Sequence, residues 1–126
     1  MALNKVKAFQ AIEDIAKQSG AEEIFMATTG FEEPEKISYQ GGFAAKKYAP
    51  DAMVNHSDGT DLFSIEPSLS KKVLSEALHK WILFSSTANK KNGKFYLVVD
   101  EDKEDDFVRI LKSKMIAAEV IAVKSD

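Results

Sequence analysis

Apolar positions along the chain change period from segment to segment, and each change marks an element. Leu3, Val6, Phe9, Ile12 and Ala16 recur at helical spacing and predict an amphipathic helix from Leu3 to about Gln18, stopped by Ser19-Gly20. The short run Ile24-Phe25-Met26-Ala27 predicts a strand within 22–29, and Pro34 marks a loop after it. A further strand is expected over Lys36–Tyr39, broken by Gly41-Gly42. Tyr48 to Asn55 predicts one strand entered through Pro50, and Leu62-Phe63-Ser64-Ile65 predicts its returning partner. Between them His56-Ser57-Asp58-Gly59-Thr60 predicts a tight hairpin, with Gly59 supplying a positive φ.

The second half alternates helix and strand. Ser70 is a suitable N-cap for a helix to about Ala88, with Leu74, Ala77, Leu78, Trp81 and Ser85 on one face. Asn92-Gly93 turns the chain into Phe95-Tyr96-Leu97-Val98-Val99, an unbroken apolar run expected of a central strand covered on both faces. Asp102 is placed to cap a third helix, with Phe107, Val108, Ile110, Leu111 and Met115 towards the core. Ala118 to Val123 closes as a last strand. The order implies an α/β fold around a mixed sheet.

Composition narrows the chemistry. At 126 residues the chain has room for one domain over 1–126. It has no cysteine, so disulfides, thiolate metal sites and thiol nucleophiles are excluded. No apolar run approaches the roughly 18 residues of a membrane span, and the first residues lack a signal-peptide pattern; a cytoplasmic location without membrane contact is expected. The formal charge is −3, from 17 basic and 20 acidic residues, and every basic residue except Arg109 is lysine. Bulk electrostatic coating of nucleic acid and multi-arginine base reading are therefore not expected, and any nucleic-acid contact would be local and to phosphate.

Among polar residues, Asp51 and Glu66 stand out. Asp51 opens one predicted strand and Glu66 ends its neighbour, and pairing through Asp58-Gly59 places them opposite each other, within about 5 Å at Cβ. Two carboxylates held so suit a hard cation such as Mg²⁺. The plain alternative is a turn-capping Asp51 and an exposed strand-end Glu66. Glu13 lies at the edge of the first helix's apolar stripe, where a carboxylate needs a partner, a cation or a proton. The two histidines, His56 in the turn and His79 on an outer helix face, do not make a metal pair, and 100–106 is read as a solvated helix start.

Pro50-Asp51, a hairpin, an apolar strand ending in Glu66 and a long helix resemble the PD-(D/E)XK nuclease-like superfamily. Within it the chain is similar to small plasmid or mobile-element proteins of the replication-relaxation type. The resemblance runs from the first helix to about Val99. It implies an α-β-β-β-α-β restriction-endonuclease-like core, followed here by a helix and a strand. It implies a Mg²⁺-dependent phosphodiester hydrolase acting on DNA, with Asp51 and Glu66 as metal ligands, Glu13 joining them, and a lysine beside the attacking water. The motif lysine is missing, because the segment reads Glu66-Pro67-Ser68. Lys80, or in reserve Lys71, on the following helix is expected to replace it as a catalytic cation. The competing expectation is a catalytically inactive relative serving as an interaction or regulatory module, as a homodimer or with a partner protein.

Overall fold

The computed structural model describes residues 3–38, 47–67 and 71–124. Helix α1 (Lys5–Gln18) and strand β1 (Glu23–Met26) come first. Strands β2 (Ile37–Ser38) and β3 (Lys47–Tyr48) pair with each other in a small separate ladder. Strand β4 (Ala52–Asn55), strand β5 (Thr60–Ile65), helix α2 (Lys71–Lys90) and strand β6 (Phe95–Asp100) follow. A 3-10 turn (Glu101–Lys103), helix α3 (Glu104–Ser113) and strand β7 (Glu119–Val123) complete the chain.

The main sheet has the order β1-β4-β5-β6-β7. Its first three strands are antiparallel, and β5, β6 and β7 are parallel, each step carried by a helical crossover. Alternation along the strands sorts side chains into two cores. Ala52, Val54, Phe63, Ile65 and Val98 pack with Ala8, Ile12 and Ala16 of α1. Met53, Leu62, Leu97 and Val99 pack with Trp81 and Phe84 of α2 and Phe107 and Leu111 of α3. The fold is thus a mixed α/β sheet covered on both faces.

Several expectations are corrected. The expected strand Tyr48–Asn55 is split, because Pro50 has no N–H for a ladder; its two ends join different sheets. Val6 is 79% exposed. The spacing 3, 6, 9, 12 has a period of three and drifts around an α-helix, whereas Ala8, Ile12 and Ala16 hold the inner face. Asn4 caps α1, its side chain accepting the Lys7 N–H at 3.2 Å. Met115 is 91% exposed, because α3 ends at Ser113 and the chain turns out at φ 56°. Asp100, not Asp102, is the acid that caps: its Oδ1 accepts the Asp102 N–H at 2.9 Å, and α3 begins only at Glu104. Asp100 is also 2% exposed and so no part of a solvated run.

The hairpin register differs from the expected one as well. Asn55 pairs with Thr60, and His56 N–H donates to the Gly59 carbonyl at 2.8 Å, so Ser57 and Asp58 form the tip. Gly59 does not take a positive φ; a Cβ there would lie 2.4 Å from the Asn92 carbonyl oxygen. Gly59 is required by a close backbone approach rather than by turn handedness. Gly41-Gly42, Tyr39 and the proposed cap Ser70 lie outside the described residues.

Candidate functional site

The parallel strands β5 and β6 end at one sheet edge, where the antiparallel β4 begins. Ala52 pairs with Phe63, so Asp51 stands level with Ser64 and not opposite Glu66, which lies two residues further along. The slip of one pair each way follows from the Ser57-Asp58 tip. The two acids still feel each other electrostatically, and the last residues of β5 wrap Asp51. Its N–H donates to the Phe63 carbonyl at 2.9 Å, and its Oδ2 accepts the Ile65 N–H at 2.7 Å. Glu66 N–H continues the ladder by donating to the Val98 carbonyl at 3.0 Å.

Glu66 is 7% exposed, and three donors converge on one of its oxygens. Lys80 Nζ lies 2.6 Å from Oε1, Ser64 Oγ donates to it at 2.8 Å, and the Trp81 indole N–H at 3.2 Å. Ser64 reaches it because residues two apart on a strand share a face. Lys80 and Trp81 are consecutive on α2, which packs on that face. A carboxylate at this depth needs such partners.

Burial pushes the Asp51 carboxyl above its ordinary value. The Ile65 N–H and the positive charges of Lys80 and Lys5 oppose that rise, while the negative charge of Glu66 adds to it. Lys80 therefore serves both acids, and α1 brings Lys5 to the same edge. Leu3 belongs to the same buried cluster as Ala52 and Ile65.

The structure thus brings together Asp51, Glu66 and Lys80. Glu13 is not grouped with them: its Oε2 pairs with Lys17 at 3.1 Å, one turn along α1. Among the described residues no three His, Cys, Asp or Glu side chains form a group able to hold a metal ion. The Lys71 side chain lies outside the described residues. Among the described residues, Oδ1 of Asp51 and Oε2 of Glu66 take no protein hydrogen bond. Two carboxylates, each with one oxygen uncommitted, fit Mg²⁺, which binds through one or two carboxylates and otherwise keeps its waters.

Sequence reasoning missed Ser64, Trp81 and Lys5. Ser64 carried a signal, two residues before Glu66 on the same strand face. Trp81 carried another: a buried indole N–H requires an acceptor. Elsewhere, His56 Nε2 lies 2.8 Å from Asp61 Oδ2, and Asp61 Oδ1 accepts the Lys94 N–H at 2.8 Å. That contact ties the hairpin to the start of β6. Asp100 Oδ2 is buried without a hydrogen-bond partner among the described residues, on the face opposite Glu66.

No protein-family model, curated protein or solved structure matches the chain. Among the described residues no helix is long and apolar enough to cross a membrane.

Proposed function

We propose that the protein is a Mg²⁺-dependent phosphodiester hydrolase of the PD-(D/E)XK type that acts on DNA. The observation that carries this reading is the meeting of Asp51, Glu66 and Lys80 at one sheet edge, with the ammonium 2.6 Å from Glu66. Lys80 comes from α2 and stands in for the lysine that Glu66-Pro67-Ser68 lacks. The order α1, β1, β4, β5, α2, β6, with β5 and β6 parallel, agrees with the α-β-β-β-α-β core of that superfamily and supports the assignment. In this reading β2, β3, α3 and β7 are additions.

Asp51 and Glu66 would hold the ion through Oδ1 and Oε2. Bound Mg²⁺ supplies positive charge at the phosphate and acidifies water, roles worth several kcal/mol that no lone side chain here could fill. Lys80, beside the acids, would offer a cation to the developing negative charge on phosphate. Asp51, buried and held by the Ile65 N–H, keeps one oxygen fixed and the other presented. Lys5, exposed on the first turn of α1, adds positive charge on the approach side.

A second reading, a catalytically inactive module of the same fold, is favoured by one observation. Oε1 of Glu66 is already saturated by three donors, as in a purely structural buried carboxylate. Cleavage of linear, nicked and branched DNA with Mg²⁺ or Mn²⁺ separates the two. Wild type is expected to cleave at least one substrate, and Asp51→Ala and Lys80→Met are expected to abolish or strongly reduce turnover. Wild-type activity no higher than that of Asp51→Ala on every substrate overturns the enzymatic reading in favour of the inactive module. Loss on Lys71→Met with retention on Lys80→Met would move the catalytic cation to Lys71.

A further inference from the structure

We infer that Trp81 and Ser64 are positioning residues that aim the Glu66 carboxylate at a divalent cation; the inference rests on the proposed cation site. Glu66 directly follows β5 and has three rotatable bonds between its backbone and its carboxylate. Left free, that carboxylate would sample several rotamers at a cost in conformational entropy on binding. The structure removes this freedom with two neutral donors on fixed supports. Ser64 Oγ, on the same strand face, donates at 2.8 Å, and Ser64 is 1% exposed. Trp81 Nε1 donates at 3.2 Å from a side chain that is 0% exposed and packed against Phe107 at 5.9 Å between ring centroids.

Both donors, and Lys80, take the same oxygen, Oε1. Oε2 is then the oxygen left for a cation, and its direction is set by groups that cannot move without opening the core. A structural ion pair with Lys80 alone would not need this geometry, since a flexible ammonium follows either oxygen. Two rigid neutral donors on Oε1 divide the carboxylate into an anchored atom and a presented one. Partners that orient a metal ligand in this way are as consequential as the ligand, with losses of about 10- to 100-fold in metal affinity on their removal.

Trp81 is the only tryptophan in the chain, so its emission reports on Glu66 directly. The test is calorimetric titration of Mn²⁺ into wild type, Ser64→Ala and Trp81→Phe, with Trp81 fluorescence followed in the first two. A third variant replaces Trp81 with benzothienylalanine, which keeps the ring shape and removes the N–H donor. Wild type is expected to bind Mn²⁺ with a saturable change in emission that Glu66→Gln abolishes. Ser64→Ala and the benzothienylalanine form are expected to bind about tenfold more weakly while keeping the wild-type circular dichroism spectrum. Failure of Trp81→Phe to fold does not weaken the test, because the other two variants leave the core volume almost unchanged. If wild type binds Mn²⁺ and Ser64→Ala and the benzothienylalanine form bind as tightly, the positioning role is wrong and the cation site stands. If wild type takes up no Mn²⁺ at millimolar concentration, the cation site is wrong and the positioning role falls with it.

Discussion

Lys80 Nζ and Glu66 Oε1 lie 2.6 Å apart although 14 residues separate them, joining the second helix to the end of the central strand. The Lys80 side chain is 25% exposed and that of Glu66 9%, so the acid depends on the pair more than the lysine does. Removing the amine leaves a desolvated carboxylate with two neutral donors. Lys80→Met is expected to destabilise the fold by about 1–3 kcal/mol in urea unfolding at pH 7. Glu66→Gln in the Lys80→Met background should recover part of that loss. A double-mutant cycle showing no coupling would refute the pair's structural weight.

Asp51 provides a pH test. Its folded-state carboxyl lies above the ordinary value of 3.8, chiefly because burial disfavours the charge. The folded state therefore takes up a proton more readily than the unfolded chain between 3.8 and the raised value. The stability that protonation contributes is complete below 3.8 and is lost as pH rises through the folded-state value. At pH 7 the ionised Asp51 is a net cost, offset in part by the Ile65 N–H and Lys80. Asp51→Asn keeps an acceptor for that N–H and removes the charge. Its melting temperature should exceed that of wild type at pH 7, with the gap narrowing as pH falls through the raised folded-state value and closed below 3.8. A variant less stable than wild type at pH 7 would show that the carboxylate is held favourably.

Two glycines are expected to behave differently on substitution. A Cβ at Gly93 would sit 1.7 Å from the Thr60 carbonyl oxygen and 2.3 Å from its carbon, both backbone atoms. Gly93→Ala should cost about 3 kcal/mol or more and perturb the β5–β6 pairing. Gly30 has φ 95° but open space around it, so Gly30→Ala should cost only about 1 kcal/mol. Equilibrium denaturation ranks the two, and equal costs would contradict the close approach.

At the opposite sheet end, Asp61 serves two partners and His56 one. Asp61→Ala loses both the His56 contact and the acceptor for the Lys94 N–H, whereas His56→Ala loses only the first. Asp61→Ala should be the more destabilising, by about 1 kcal/mol, and should speed amide exchange at Lys94. Unchanged exchange at Lys94 would argue against the clasp.

Much of this molecule was legible from local pattern. The helices over 71–90 and 104–113, the inner strand at 95–100 and the antiparallel β4–β5 hairpin all follow from periodicity, proline placement and turn residues. These signals act within a few residues of each other, where covalent geometry and water decide the outcome. Asp51 and Glu66 were also visible, because a proline-led strand and its returning partner can end only at the same sheet edge. The nearness of Lys80 to Glu66 was legible for a similar reason: a helix that follows β5 must pack back on the strand it left.

What the sequence could not determine depended on distance and register. The hairpin tip at Ser57-Asp58 was settled by the approach of Gly59 to Asn92, a contact across 33 positions that no local spacing encodes. The exposure of Val6 and Met115 came from where α1 and α3 begin and end, since one residue of offset turns a helical side chain by about 100°. Glu13 was drawn to Lys17 on its own helix, one turn away, rather than to the acids across the sheet. The convergence of Ser64, Lys80 and Trp81 on one oxygen of Glu66 belongs to tertiary structure alone: it needs strand alternation, helix rotation and helix-to-sheet distance to agree at a single atom, and burial then makes that agreement obligatory.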